Sequence, residues 1–288
     1  REALADIGLV VSENPNFRPA YLSLARAHFA LSEEAPGLDA LNSYLAGQPG
    51  FDPNKSEAHA QRGELLRRLR RGWNLPQPAN RATEALTMRE LEKAVELDVR
   101  TPQLFNDLGA MFHNRKQYKK AEAEYSKGLD LATDDPTLRN NRGWSDIELK
   151  QYDKARDDFA VAARLEPKTP AEFMVRAEAH SGLGLSYAAL GSSVDAQQAA
   201  ARAWSFLEQG PEHYLIWHNI ACIYGVLAKS SQDGSHDSYA ELVLVFLRRA
   251  IKSGGKAAIA KIEGDKDYFP PKIFESEEWK KMKDLPLP

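Results

Sequence analysis

The chain has 288 residues, of which 43% are hydrophobic, and its 41 acidic residues against 38 basic ones leave a net charge of -3 at pH 7. A chain this close to neutrality has no general attraction for nucleic acid or acidic membranes, and no apolar run approaches the length of a membrane-spanning helix. A single cysteine, Cys222, excludes an internal disulfide framework and is typical of a reducing compartment, so we expect a cytoplasmic protein.

The predicted elements are helices that follow one another in pairs. Ala3 and Ile7 begin the chain with the pattern of a second helix that has no first helix before it, so we expect the sequence to be a fragment of a longer protein. Six pairs then follow in chain order. Their first helices carry a small residue at Ala25, Gly63, Gly109, Gly143, Gly184 and Ala221, and their second helices align at Gly37, Thr87, Ala121, Ala155, Ala196 and Val243.

The clearest internal repeat has a period of 34 residues. Leu108-Gly109, Tyr118, Ala121 and Tyr125 are answered by Arg142-Gly143, Tyr152, Ala155 and Phe159. A period in this range is typical of repeat proteins in which each unit is one helix pair. The spacing of large, small and aromatic residues is similar to the tetratricopeptide repeat (TPR) signature over nearly the whole chain. The resemblance implies an all-α fold, namely a right-handed α-solenoid of antiparallel helix pairs.

Small residues are needed where the two helices of a pair cross. A Gly or Ala lets the backbones approach closely, and larger residues one turn away fill the space around the contact. We therefore expect Gly109 to face Ala121, and Gly143 to face Ala155.

Three of the first helices have a predicted start at a proline. Thr101, Asp135 and Thr169 each place a side-chain oxygen directly before a proline that can take the first helical position. Glu172 can complete a capping box with Thr169, because its carboxylate can accept a hydrogen bond from the backbone N–H of Thr169.

Departures from the period predict a longer helix and two loops. Gly143 and Gly184 are 41 residues apart, and the surplus is about two helical turns, so the helix after Thr169 should be longer than the others. The segments 72–81 and 229–238 are rich in Gly, Pro, Asn and Ser, which predicts loops between helices.

The last quarter of the chain carries a second resemblance. Residues 217–224 (WHNIACIY), 246–254 (FLRRAIKSG) and 274–279 (FESEEW) are similar to the end of TPR arrays attached to bacterial serine/threonine protein kinases. The resemblance implies a solenoid over residues 1–254 and a capping segment over residues 255–288. The sequence itself contains no Gly-rich loop with a strand lysine, no His-Arg-Asp and no Asp-Phe-Gly.

Catalytic and metal-binding patterns are missing from the sequence. The histidines include no His-Glu-x-x-His, and the single cysteine rules out a four-cysteine zinc site. Ser253 and Lys256 match the Ser-x-x-Lys spacing of penicillin-binding enzymes, but the other two motifs of those enzymes are missing and the segment lies where a helix should end at glycines. We expect a protein without catalytic residues, cofactor or bound metal.

A binding surface is the function that remains. In TPR arrays the first helices line a concave groove, so the resemblance implies that a protein or peptide partner is held there. Amide side chains suit such a groove because one amide can both donate to and accept from a peptide backbone. We predict that the partner-binding residues are Gln61, Asn106, Asp107, Asn140, Asn141, Trp144 and Asn219. Trp144 is the candidate anchor, and ordinary packing between adjacent repeats is the alternative for it.

We interpret the sequence as a noncatalytic scaffold for protein interaction, without nucleic acid binding or membrane insertion. Five arginines between Arg62 and Arg71 form a basic stripe, which is typical of a solvated helix face. One alternative is the regulatory region of a larger bacterial serine/threonine kinase. The other is an enzyme with a site built in the groove, which would need a convergent cluster of titratable groups that the sequence does not show.

Overall fold

A computed structural model of the chain describes residues 2–72, 77–209, 213–231 and 235–283. Within these ranges every regular element is a helix, so the prediction of an all-α fold is confirmed. Of the helices in the described part, none has the length and apolar character that crossing a bilayer requires. The chain divides into two compact units, Arg1–Asn114 and Arg115–Pro288.

The first unit is built from packed helix pairs. Its described elements are α1 (Glu2–Glu13), α2 (Arg18–Ala30), α3 (Glu34–Leu45), α4 (Ser56–Gly72), α5 (Gln77–Glu96) and α6 (Pro102–Asn114). α2 packs on α3, and α4 packs on α5, as the small residues predict. One apolar cluster joins α2 to α5 through Phe29, Leu41 and Leu66, and another joins α5 to α6 through Leu91 and Leu108.

The second unit continues with the same kind of pairs. Its described elements are α7 (Tyr118–Leu131), α8 (Pro136–Glu148), α9 (Tyr152–Ala162), α10 (Pro170–Ala189), α11 (Ser193–Gln209), α12 (Tyr214–Ser230), α13 (His236–Gly264), a 3₁₀ turn (Lys266–Tyr268), α14 (Lys272–Glu275) and α15 (Glu277–Lys283). α8 packs on α9, α10 on α11 and α12 on α13, and α8, α10 and α12 also pack side by side. These three first helices therefore form one layer of the unit.

Three finer expectations remain predictions. The sixth and seventh helices, whose contact at Gly109 and Ala121 we expect, belong one to each unit. The handedness of the array, and its division into a solenoid over residues 1–254 and a capping segment over residues 255–288, likewise remain predictions.

Two helix crossings in the second unit show why small residues are needed. An added Cβ atom at Gly143 of α8 would lie 2.9 Å from the ring of Phe159, which follows Ala155 by one turn on the same side of α9. At Gly184 of α10, an added Cβ would lie 3.2 Å from the carbonyl oxygen of Ala196 on α11. A larger residue at either glycine would therefore push the two helices of the pair apart.

The predicted helix caps are confirmed. The Asp135 carboxylate accepts from the backbone N–H groups of residues 137 and 138, and the Thr101 hydroxyl accepts from that of residue 104. Thr169 and Glu172 form the full capping box at the start of α10. These contacts satisfy N–H groups that a helix start leaves without an intrahelical partner.

The helix lengths confirm one expectation and correct another. α10 has 20 residues whereas α8 has 13, so the surplus between Gly143 and Gly184 lengthens α10 as predicted. The loop predicted over 72–81 is wrong at both ends, since Gly72 closes α4 and residues 77–81 begin α5, while residues 73–76 lie outside the described part. The loop predicted over 229–238 shrinks similarly, because α12 runs to Ser230 and α13 starts at His236, with residues 232–234 outside the described part.

α13 changes direction at Gly255. This glycine has φ 53° and ψ -132°, which is not helical geometry, and residues 256–264 form a second helical stretch beyond it. The residues that follow bury Phe269, Ile273, Trp279 and Met282 in the main apolar cluster of the second unit. The end of the described chain is therefore packed onto the last helix pair.

We expect Ala155→Leu to lower the free energy of unfolding by roughly 1–3 kcal/mol, because extra methylenes in a filled contact force neighbouring atoms apart. Ala155 is completely buried on α9, whereas Ala201, on α11, is exposed. Ala201→Leu is therefore the matched control, and urea unfolding of both variants is the measurement. Equal and small shifts of the unfolding midpoint would show that the assigned register of α9 is wrong.

Lys150 offers a second test, at the turn between α8 and α9. Its φ of 59° is left-handed, and the corresponding residue between α10 and α11 is Gly191, with φ 83°. Because left-handed backbone costs a side-chain-bearing residue more than glycine, Lys150→Gly should stabilise the protein by about 0.5–1 kcal/mol. Lys154→Gly, inside α9, should instead destabilise it by about 1 kcal/mol. A loss of stability in both variants, measured by urea unfolding, would contradict the expectation.

Candidate interaction site

Polar side chains connect the three first helices of the second unit. The amide nitrogen of Asn140 on α8 donates to the Glu178 carboxylate on α10 at 3.2 Å. The amide nitrogen of Asn219 on α12 donates to the Ser181 hydroxyl on α10, also at 3.2 Å. We call the surface of α8, α10 and α12 that carries these four residues and Asn141 the inner face.

Asn140 and Glu178 have different roles on this surface. Asn140 is buried, and the oxygen of its side-chain amide has no hydrogen-bond partner among the described residues. Glu178 is half-buried. Burial raises the pKa of the Glu178 carboxyl, and the hydrogen bond from Asn140 acts in the opposite direction. Asn140 therefore fixes the position of Glu178, and Glu178 is the group that solvent or a ligand can reach.

Asn141 and Trp144 flank the crossing glycine of α8. Asn141 precedes Gly143 by two residues, which is about 200° around a helix, so it lies on the side of α8 away from Phe159. Trp144 packs edge-on against Phe159, with ring centroids 5.1 Å apart. Both residues are half-buried. Trp144 thus makes the packing contact of the alternative interpretation and still keeps part of its surface open.

Asn219 adjoins a buried polar cluster that α12 forms with Asp265. Its side-chain oxygen lies 3.3 Å from Nδ1 of His218. The Nε2 atom of His218 is 3.3 Å from the Asp265 carboxylate and 3.6 Å from the sulfur of Cys222. Burial lowers the pKa of His218 to about 4 and raises that of the Cys222 thiol well above its usual value. At neutral pH this is therefore a neutral imidazole beside a protonated thiol, which is not a reactive pair.

A cavity of about 600 Å³ opens at the end of the inner face. Apolar residues from three helices line it: Ile147, Leu185, Ala189 and Val226. Its polar lining is Glu148, Lys150, Tyr152, Lys229, Asp265, Asp267 and Tyr268. A volume of this size is in the range of ligand-binding sites. Sequence reasoning missed this cavity because residues 264–268 lie far from α8 and α10 in the chain.

Glu148 lines this cavity, near the positive charge of Lys261 and the negative charge of Asp265. The Tyr118 hydroxyl hydrogen-bonds to its carboxylate. Burial raises the pKa of Glu148, Lys261 acts against that shift, and Asp265 adds to it. The cavity lining therefore combines charged groups of both signs with four apolar side chains.

The predicted site residues of the first unit lie in a different environment. Asp107 of α6 is buried, accepts from Gln103 at 2.9 Å and pairs with Arg67 of α4 at 3.0 Å. Burial, followed by a hydrogen bond with Glu64, raises the pKa of Asp107 to about 7. Gln61 and Asn106 are half-buried. Asp107 is therefore used within the protein, in a cluster with Glu64 and Arg67 that sequence reasoning did not foresee.

The basic stripe on α4 is a solvated face only in part, since Arg68 is exposed whereas Arg62 and Arg67 are not, and the side chains of residues 70 and 71 lie outside the described part. Arg62 is buried and pairs with Glu90 of α5 at 2.9 Å. Arg67 is half-buried between Glu64 and Asp107. These arginines hold α4 to its neighbours, because a buried guanidinium is stable when carboxylates surround it. Periodicity could not identify the carboxylates, which come from other helices.

Among the described residues, no group of three or more His, Cys, Asp or Glu side chains is placed to hold a metal ion.

No family model and no curated protein matches the chain. Similar solved structures include a TPR repeat-containing protein from Cytophaga hutchinsonii, with 16% identity, 90% of this chain and 93% of that chain covered, and a TM-score of 0.49. Pseudomonas aeruginosa PilF has 18% identity, 86% and 97% coverage and a TM-score of 0.49. YrrB, a TPR protein with an unusual peptide-binding site, has 19% identity, 74% and 96% coverage and a TM-score of 0.47.

Asp146 is a buried acid on α8 that the sequence did not single out. It is 1% exposed, and one of its carboxylate oxygens has no hydrogen-bond partner among the described residues. Burial raises its pKa to about 7, with further increases from Glu122 and Asp158, while Arg142 and Lys154 act against the shift. Its folded-state pKa therefore lies above the ordinary value of 3.8.

This shift fixes the sign of a pH dependence. A raised acid pKa means that the folded protein holds a proton that the unfolded chain has already released, so stability falls as pH rises from about 4 to about 7. Asp146→Asn removes the buried charge, so it should raise the free energy of unfolding at pH 8 by an amount on the order of 1–3 kcal/mol. The pH dependence of that variant should also be shallower.

Urea unfolding at pH 5 and pH 8 measures the effect. Asp130→Asn, at an exposed position of α7, is the control and should leave the pH dependence unchanged. An Asp146→Asn variant that is less stable than the native chain at pH 8 would contradict the assignment of Asp146 as an unfavourable buried charge.

Proposed function

We propose that this chain is a noncatalytic interaction scaffold, and that its second unit binds a segment of a protein partner on the inner face. The observation that carries the proposal is the row of Asn141, Glu178 and Asn219 across three neighbouring helices, next to the cavity of about 600 Å³. Each of these side chains remains partly exposed. An extended peptide backbone can exchange hydrogen bonds with such a row, while its apolar side chains enter the cavity.

The seven predicted residues take different parts in this proposal. Asn141, Trp144 and Asn219 are the proposed contacts of the second unit. Asn140 acts through Glu178, which it holds at 3.2 Å. Gln61, Asn106 and Asp107 belong to the first unit. Gln61 and Asn106 are proposed as further contacts there, and Asp107 as a positioning residue, because its carboxylate is buried against Arg67.

Association with a bacterial serine/threonine kinase is a finer proposal. It is supported by the resemblance of residues 217–279 to kinase-linked TPR arrays. Sequencing the gene upstream of Arg1 tests it directly, since a kinase domain would carry the Gly-rich loop and the His-Arg-Asp and Asp-Phe-Gly motifs.

Two substitutions on α8 test the binding proposal. A pull-down with the chain recovers a partner, and calorimetric titration then measures its affinity for each variant. Trp144→Ala should weaken binding by about 2 kcal/mol or more, the range for a central aromatic anchor. Asn141→Ala should cost about 1 kcal/mol, because water partly replaces the lost amide.

Asp157→Ala is the matched control, because Asp157 is an exposed residue on α9 of the same helix pair. Trp144 also packs on Phe159, so each variant must keep its helical content and its unfolding midpoint before its affinity is interpreted. Unchanged affinity in both α8 variants, with the fold intact, would mean that the partner binds elsewhere.

A further inference from the structure

One side of α12 carries a continuous strip of inner-face residues. His218, Cys222 and Gly225 follow one another at intervals of four and three residues, so they lie along one side of the helix. Asn219, next to His218, joins this strip to α10 through its hydrogen bond to Ser181. The strip is thus the part of the inner face that α12 provides.

The chain's own residues 265–269 lie across this strip. The Asp265 carboxylate contacts His218 at 3.3 Å, and the ring of Phe269 meets that of His218 edge-on. At Gly225, an added Cβ would lie 2.5 Å from the Tyr268 carbonyl oxygen and 2.9 Å from the Phe269 ring. The glycine therefore admits a backbone that any larger residue would displace.

A backbone contact completes the attachment. The ammonium group of Lys229, near the end of α12, donates to the carbonyl oxygen of Asp267 at 2.6 Å. Asp265 is also held by Lys261 at 2.9 Å. His218, Gly225 and Lys229 of α12 thus contact one carboxylate, two backbone carbonyls and one aromatic ring from five consecutive residues. Contacts of these kinds are also those by which helical surfaces hold a separate peptide.

Residues 265–283, which begin with the segment on the strip, contain only short helical pieces. α14 has 4 residues and α15 has 7, both too short to be stable as isolated helices. Phe274 contacts Phe269 and Trp279 edge-on, so an aromatic cluster holds the segment together. Gly255 separates it from the first part of α13 by a non-helical residue. Its position therefore depends on side-chain contacts such as those of Phe269.

We propose that the strip on α12 recognises a short segment, folded as a 3₁₀ turn, in which a carboxylate precedes an aromatic residue by four positions. Residues 265–269 occupy the strip in the free protein, and a partner segment of the same chemistry takes their place. This inference rests on the proposed function, since it takes the inner face as the partner surface. Beyond the proposed function, it specifies the chemistry of the partner segment. It also states that this segment competes with residues 265–269 of the chain for the strip.

Cys222 provides a direct reporter of the covered strip. It is the single cysteine of the chain and is 2% exposed, and burial raises the pKa of its thiol. In the native chain it should therefore react slowly with a disulfide reagent such as 5,5′-dithiobis(2-nitrobenzoate). Phe269→Ala weakens the attachment and should increase the labelling rate by about tenfold or more through local opening.

Two further variants separate local opening from general destabilisation. Leu129→Ala removes a buried side chain on α7 of the same unit, away from the strip, and should increase labelling far less than Phe269→Ala. An equal increase in both would show that Cys222 reacts through unfolding of the unit, and would overturn the proposal. Lys229→Met removes the donor to Asp267 at an exposed position, so it gives the same test should Phe269→Ala fail to fold.

The decisive experiment adds the segment around residues 265–269 as a separate peptide. The probe is residues 263–271 (EGDKDYFPP), acetylated and amidated, added at millimolar concentration to the full-length Phe269→Ala protein. It should slow Cys222 labelling by about threefold or more, as expected when a ligand stabilises the closed form. The same peptide carrying Asp265→Asn and Phe269→Ala should have no effect. Labelling that neither peptide changes, or that both change equally, would overturn the proposal.

This outcome can be told apart from failure of the proposed function. If the peptide gives no protection but Trp144→Ala still weakens the recovered partner, the inner face binds a partner of different chemistry. If the peptide protects Cys222 but the α8 variants leave the partner's affinity unchanged, the recognition strip stands and the assignment of α8 falls.

Discussion

The contact on which the second unit depends is the ring of Phe159 between two glycines. Phe159 comes from α9, and its ring fills the space that a Cβ atom would need at Gly143 of α8 and at Gly182 of α10. One buried aromatic side chain therefore packs against both first helices at points where they have no side chain. Because these helices then lie side by side, Asn140 comes within hydrogen-bond distance of Glu178. The geometry of the inner face follows from this apolar contact.

Burial of polar groups gives that face its character. Asn140, Ser181 and His218 are buried and bonded or packed within the protein, so they are held in place before any ligand arrives. Each hydrogen bond of these buried groups resists opening, because breaking it leaves a desolvated group without a partner. Asn141 and Glu178 stay accessible beside it. Such a preorganised surface loses less entropy on binding than a flexible one.

Local features of this fold could be predicted from the sequence. The capping box of Thr169 with Glu172 and the added length of α10 depend on neighbouring residues and on helical geometry, and both are present. Gly143 also lies at a crossing as expected, although its nearest neighbour is Phe159. The sequence did not predict that residues 77–81 form the start of α5. Their composition favours a turn, but the packing of α5 on α4 overrides that local preference.

The candidate site was harder to predict because long-range contacts create it. Glu178 lies on α10 and becomes part of the inner face through Asn140, 38 residues earlier in the chain. Asp265 reaches His218 after the whole of α13 has intervened. Periodicity identifies which side of a helix is apolar, but it does not identify the distant segment that packs there. The amide pattern therefore singled out Asn141 and Asn219, whose role as contacts stays a prediction, and it missed both the cavity and residues 265–269.

Photo-crosslinking tests directly whether the layer of first helices is the partner surface. Benzoylphenylalanine placed at Asn141 on α8, and separately at exposed Asp157 on α9, would be irradiated in the presence of the recovered partner. We expect a covalent adduct from position 141, mapped by mass spectrometry to one short segment of the partner, and none from position 157. Adducts from position 157 and none from position 141 would contradict it.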